Sequence, residues 1–324
     1  MTNSPTILTG DIGGTHARFA YAVQQGGAWQ LSHYAKFKGA DYDSFDKVLD
    51  RFLSSVPDKP DWASISAAGP VKDGRVQLTN RDWHICTQHL QKTYPALKGC
   101  RLYNDFAAMT RSIPEMKEDD FTPVKSGNTD PDAPVLVAGA GTGFGVGYLL
   151  PLKSGSWYVI TSEGGHQAYA PQTALECDLL KTLQAQHGFV SLEMVSSGTG
   201  LPAVHQALAT IRGAEYMPLA PEVIRQKAGQ GDALCLDICR IRAAAIMGAL
   251  GDLALSGGTR GGVVIAGGVS ERMIDFLLEP QALERFATRG PRSDYMADIP
   301  IRLLTSSLAP LKGAAALLHD DYED

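Results

Sequence analysis

Two glycine-rich turns, Gly10-Asp11-Ile12-Gly13-Gly14-Thr15 and Gly139-Ala140-Gly141-Thr142-Gly143-Phe144-Gly145, each separate two short apolar runs. Glycine lets backbone N–H groups approach a phosphate with no Cβ in the way, and the hydroxyls of Thr15 and Thr142 add donors. One such turn is more often a plain hairpin tip, but a pair with threonines and an adjacent acid favours a ligand. Gly13, Gly14 and Thr15, with Gly141, Thr142 and Gly143, are therefore candidates for holding the β and γ phosphates of a nucleotide. Asp11, at a strand end beside the first turn, is placed for magnesium, bound through water. No Gly-Lys-Ser/Thr occurs, which excludes a P-loop, and Phe144 stands where a dinucleotide fingerprint needs its third glycine.

Carboxylates supply the second set of candidates. Asn104-Asp105 follows an apolar run, the position at which open α/β sheets present catalytic side chains, although an acid at a helix start is by itself more often an N-cap. Glu163-Gly164-Gly165-His166 puts a carboxylate and an imidazole around paired glycines, and Glu193 stands just before Ser197-Gly198-Thr199-Gly200. Asn104, Glu163, His166 and Glu193 can clamp the vicinal hydroxyls of a sugar while Asp105 accepts a proton. His16 and the remaining histidines show no ligand spacing.

The elements that must position these groups are legible in part. Residues 6–8 and 18–23 read as a hairpin around the first turn. Phe45, Val48, Leu49, Phe52 and Leu53 recur at helical spacing, so residues 43–55 form an amphipathic helix. Strands are expected at 65–68, 76–78 and 101–104, the last running into a helix over 105–113 that Pro114 stops. The polar stretch 116–134 reads as a domain junction. A second unit then repeats the first, with apolar runs 135–138 and 146–150 around the second turn, which suggests a duplicated α/β unit. Helices follow at 174–187 and from 232 to about 255, strands at 263–266 and 301–304, and a last helix at 311–319 with a solvated acidic tail.

The chain has 324 residues, a length that points to two domains, and 44% hydrophobic residues supply two cores. Lys plus Arg is 29 against 35 Asp plus Glu, so nothing neutralises phosphates in bulk, and neither nucleic acid nor an anionic membrane is the expected partner. Five cysteines without paired CxxC spacing fit a reducing compartment, hence the cytoplasm. Residues 1–5 lack the features of a signal peptide, so export is not expected. Residues 133–152 are uncharged and contain GxxxG, yet glycine on every second residue from 139 to 147 suits two strands and a turn better than a membrane helix.

Gly10-Asp11-Ile12-Gly13-Gly14-Thr15-His16-Ala17-Arg18, Leu78-Thr79-Asn80-Arg81-Asp82-Trp83, Asn104-Asp105-Phe106, Gly139-Ala140-Gly141-Thr142-Gly143, Glu163-Gly164-Gly165-His166 and Ala266-Gly267-Gly268-Val269 resemble, in order and spacing, the motifs of the bacterial glucokinases. These belong to the superfamily of sugar kinases, heat-shock ATPases and actin. The resemblance runs nearly end to end. It implies an α/β fold of two ribonuclease H-like domains with an interdomain cleft, the hexokinase/actin-like ATPase fold. Residues 1–115 with 308–324 would form the small domain, the C-terminal helix completing it, and residues 116–307 the large one. It further implies ATP- and Mg2+-dependent phosphorylation of D-glucose at the 6-hydroxyl. Sugar would lie against Asn104, Asp105, Glu163, His166 and Glu193, with Asp105 as base, phosphates on the two turns, and adenosine near Gly267 and Gly268.

Two departures qualify the resemblance. The cysteine-rich zinc motif of the ROK-type glucokinases is missing and no helix-turn-helix extension precedes Thr6, which disfavours that branch. Thr199 stands where many relatives have proline, leaving open the shape of the loop after Glu193. A nucleotide sensor or chaperone-like ATPase of the same superfamily is the alternative reading, in which a sugar clamp has no purpose. Glucose against mannose or fructose, the phosphoryl donor, and monomer against homodimer stay open at this point.

Overall fold

A computed structural model describes residues 5–78 and 81–323. Met1 to Ser4, Thr79 and Asn80 of the Leu78–Trp83 motif, and Asp324 lie outside the described residues. The chain divides into two compact units, one of residues 1–118, 152–159 and 306–324 and the other of residues 119–151 and 160–305.

The first unit is built on a five-stranded sheet in the order Ala28–Lys38, His16–Gln25, Ile7–Ile12, Trp62–Ala67, Gly99–Asn104. The first three strands are antiparallel and the last three parallel. Alternation along Ile7–Ile12 sends successive side chains to opposite faces. Leu8 and Ile12 join Phe19, Phe45, Val48 and Phe52 beneath the amphipathic helix Phe45–Leu53, whose N-terminus Ser44 caps. Ile7 faces the other way, against Ala315, Ala316 and Leu318 of the helix Ala309–Glu323.

That last helix is longer than its apolar part suggests, and its acidic end is not a free tail. Asp320 receives Arg111 Nε at 2.6 Å and Nη2 at 3.0 Å, Asp321 receives the Tyr103 hydroxyl at 2.6 Å, and Tyr322 packs on Trp62. Arg111 is buried, so the acids extend the helix by pairing a cation that cannot reach water. Pro114 does not simply stop the preceding helix, Asp105–Arg111; it sits in a 3-10 turn, Ile113–Glu115, where its missing N–H costs nothing.

A second, six-stranded sheet runs in the order Trp157–Ser162, Phe144–Pro151, Val135–Ala140, Val263–Ile265, Ile301–Leu304, Phe121–Lys125, all of it in the second unit except residues 157–159 of its edge strand. Val135–Ala140 is antiparallel to Phe144–Pro151 and parallel to Val263–Ile265, as Ile7–Ile12 is to its two neighbours. The first five strands therefore repeat the order of the first sheet, so the duplication read from the glycine turns extends to five of the six strands. The polar stretch 116–134 is more than a junction, since Phe121–Lys125 pairs antiparallel with Ile301–Leu304. The 25-residue helix Ala233–Gly257, capped by Asp232, runs through this unit's core and is buried along most of its length. No helix among the described residues is long and apolar enough to cross a membrane.

Candidate active site

Both glycine turns are the tips of the antiparallel pairs that open their sheets. In the first, Gly13 N donates to His16 O at 3.0 Å, Gly14 O accepts from Arg81 Nη2 at 3.0 Å, and Thr15 O accepts from Gly39 N at 3.0 Å. The outward carbonyls are thus tied back to the protein. Gly13, Gly14, Gly141 and Gly143 all lie outside the left-handed region, so a strained hairpin turn does not account for glycine there.

Asp11 is the penultimate residue of the strand leading to the first tip, with Arg18 Nη1 at 3.3 Å from Oδ2 and only 15% of its side chain exposed. Burial pushes its carboxyl pKa up and the Arg18 cation partly offsets this. Arg18 Nη1 also donates to Ser307 O at 3.2 Å, fixing the pair. Among the described residues no group of three or more metal-ligating side chains occurs. A single desolvated carboxylate beside a glycine turn is chemically suited to a magnesium ion that keeps its waters and is held mainly by substrate phosphates.

Asn104 and Asp105 exchange the roles that their positions suggest. The helix N-cap is Asn104, whose Oδ1 accepts from Phe106 N at 2.9 Å and Ala107 N at 3.2 Å, while its Nδ2 donates to Gly69 O at 3.3 Å. Asp105 is the first helical residue, its Oδ1 2.9 Å from Phe106 N. The capping reading weighed for Asp105 therefore belongs to its neighbour.

In the second unit three candidates gather on one turn. Glu193, in the short helix Leu192–Ser196, accepts Phe144 N at 2.7 Å through Oε2, which joins a candidate sugar ligand to the second glycine turn. Gly165 lies so close to the strand after that tip that a Cβ would stand 2.2 Å from Phe144 O. Only glycine brings the Glu163–His166 turn that near. Glu163 Oε2 and His166 Nε2 are 3.9 Å apart and largely exposed, free to meet a polar ligand. Gly267, at φ +94°, ends the next strand and admits the helix Gly268–Arg272. Beside it is a cavity of about 700 Å³ lined by Gly198, Leu201, Ile224, Val269, Met273 and Phe276.

The loop left open after Glu193 closes on the tip. Gly198 N donates to Gly141 O at 2.9 Å, and Thr199 donates to Thr142 O through N at 3.2 Å and Oγ1 at 3.0 Å. Proline at 199 would lack both donors. Arg242, pushed down to about 10 by burial, holds this loop from behind through Ser196 O and Ser197 O. Sequence reasoning missed Arg242; its one signal is a second arginine, two residues after Arg240, flanked by Ile241 and Ala243 in a helix of mostly apolar residues.

A sequence model of the glucokinase family matches residues 8–321. A glucokinase of Caulobacter sp. (strain K31) is 35% identical over 319 residues, covering 97% of this chain and 95% of its own. The crystal structure of a glucokinase from an Antarctic psychrotroph superposes with a TM-score of 0.88 at 36% identity, covering 98% of this chain and 99% of that one. A ROK family glucokinase from Streptomyces griseus in complex with glucose and AMPPNP has a TM-score of 0.63 at 20% identity, covering 96% and 98%, a likeness of fold. Matched by the family's sequence model and by a 35% identical relative along nearly its whole length, the chain belongs to the glucokinase family of sugar kinases.

Proposed function

We propose that this chain transfers the γ-phosphoryl group of ATP to the 6-hydroxyl of D-glucose, giving glucose 6-phosphate and ADP, in the cytoplasm. We propose further that its domains are ribonuclease H-like, residues 1–115 with 308–324 and residues 116–307. The observation that carries the reading is Gly141: a Cβ there would meet nothing within 4 Å and its φ is not left-handed, so no demand of the fold explains glycine. A ligand that must approach the backbone does. Family membership and the nucleotide analogue in the Streptomyces griseus enzyme support ATP as that ligand.

In this mechanism the turns Gly13-Gly14-Thr15 and Gly141-Thr142-Gly143 hold the β and γ phosphates through the threonine hydroxyls and the N–H groups other than those of Gly13 and Gly141, which bond His16 O and Gly143 O, and adenosine lies near Gly267 and Gly268 in the adjoining cavity. Asn104, Glu163, His166 and Glu193 accept and donate to the sugar hydroxyls, which orients the 6-hydroxyl toward Asp105. Asp105 takes its proton as the loose transition state forms. Asn104 caps the helix through two backbone N–H groups, and Asp105 Oδ1 shares one of them, Phe106 N. Asp11 would hold Mg2+ through water; when bound, the ion neutralises charge building on the phosphate oxygens. Purified protein incubated with ATP, Mg2+ and a panel of hexoses tests this. Glucose-dependent ADP with a product that glucose-6-phosphate dehydrogenase oxidises is the expected result, and ADP formation indifferent to sugar would favour the ATPase alternative.

A further inference from the structure

We propose that Arg242 is a positioning residue for phosphoryl transfer: its buried guanidinium clamps the 196–200 loop and, through that loop, the 141–143 turn in the arrangement that receives the donor phosphates. This rests on the kinase reading above.

Arg242 is 5% exposed, in a helix whose neighbouring positions Ile241, Ala243, Ala245 and Ile246 are all buried apolar residues. The charged or thiol groups that act on it are the Cys239 thiol and a second cation, Arg272; no carboxylate is among them. Its Nε has no hydrogen-bond partner. Burying a guanidinium without a counter-charge is costly, and an apolar side chain of the same volume commonly serves stability as well or better. The hydrogen bonds it does make explain its presence. Nη2 donates to Ser196 O at 3.0 Å and to Ser197 O at 2.9 Å. These are carbonyls at the C-terminal end of the helix Leu192–Ser196, where intrahelical partners run out and a cation is favoured.

From those two carbonyls the connection to the phosphate turn is continuous. Ser197 Oγ accepts Gly200 N at 3.2 Å and lies 3.0 Å from Thr199 Oγ1. Gly198 N and Thr199 N and Oγ1 then donate to Gly141 O and Thr142 O. On the other side of the turn Glu193, from the same helix, accepts Phe144 N. One segment therefore grips the turn at both flanks. Its carbonyls are in turn held by Arg242, which also lines the 700 Å³ cavity next to Gly198 and Val269. Carbonyls drawn inward this way leave the turn's remaining N–H groups to face a ligand.

The test measures steady-state KM for ATP and for glucose separately, with thermal unfolding, in wild type, Arg242→Met, Arg242→Lys and Thr199→Val. For Arg242→Met the ATP KM is expected to rise ~10–100-fold with glucose KM within about threefold. Lysine, which keeps the charge and can reach a carbonyl, is expected to recover most of the loss but to stay about threefold or more above wild type. Thr199→Val, at the far end of the same chain of bonds, is expected to raise ATP KM by about threefold or more. A folded Arg242→Met enzyme with unchanged ATP KM, or with both KM values raised in parallel, overturns the proposal. Should that variant not be recovered folded, the other two decide: ATP KM within twofold of wild type in both overturns it. A wild-type protein that makes no ADP from ATP and glucose instead sinks the kinase reading, and calorimetric titration of ATP into the same proteins still decides the role of Arg242.

Discussion

Replacing Gly141 by alanine separates a ligand's demand for glycine from the fold's. The added methyl meets nothing within 4 Å and the backbone is not left-handed there, so the folded state accepts it. The unfolded chain loses freedom, and stability should hold or rise by about 0.4–1 kcal/mol. In a domain of this size that raises Tm by roughly 1–4 °C. The nucleotide has the opposite experience. Gly141 N itself donates to Gly143 O, so a phosphate on this turn bonds the other N–H groups and packs against the bare Gly141 Cα; a methyl there displaces it at the cost of one charge-assisted hydrogen bond, about 1.5–3 kcal/mol, or ~10–100-fold in ATP affinity. Gly143→Ala is the contrasting case, because its Cβ would stand 2.5 Å from Glu193 Oε2 and push that carboxylate off Phe144 N. That variant should lose about 1–2 kcal/mol and bind both ATP and glucose more weakly. Thermal unfolding with calorimetric titration of each ligand reads these quantities for both variants. Wild-type ATP affinity in Gly141→Ala would refute the reasoning, as would a Tm below that of Gly143→Ala.

Three further outcomes follow from other sites. Asp105→Asn should lower turnover at least ~10²-fold while glucose affinity stays within a few-fold and Tm barely moves, since Asn104 supplies the cap; near-normal kcat removes Asp105 from the base role. Asp11→Asn should abolish most activity yet raise Tm at pH 7. Burial raises the folded pKa of Asp11, so its ionised form disfavours folding, a cost incurred as pH climbs from its ordinary value of 3.8 through the folded value. The Tm gap should therefore close on acidification, and a gap that widens toward low pH contradicts the sign. Asp320→Ala should cost about 2 kcal/mol by leaving Arg111 with Glu115 alone, measured by urea unfolding; no loss would return the acidic end of the last helix to a solvated tail.

Local pattern carried the reading where periodicity and punctuation agree. The five apolar residues of 45–53, the helix 174–187 with its closing Gly188, and the strand 301–304 lie where the pattern puts them. The helices Leu201–Arg212 and Pro221–Gly229 went unread between glycines and prolines that resemble loop signals, although Pro in a first turn is compatible with a helix. The two glycine turns and the carboxylates were visible as residue types.

Which groups share a site is a different kind of information. Asp320 looks solvated until Arg111, 209 residues away, is packed against it. Asp105 looks like a cap until Asn104 turns its oxygen onto two backbone N–H groups, and Thr199 looks like an oddity until it reaches Thr142. The amino-acid sequence by itself determined the repeated strand–turn–strand units and the inventory of donors and acids, because period and glycine spacing are properties of neighbouring residues. Only the tertiary structure decided that Arg242, Ser197, Thr199 and Glu193 converge on one turn, because their hydrogen bonds join segments that chain order keeps apart and that burial, acting on the whole core, brings together.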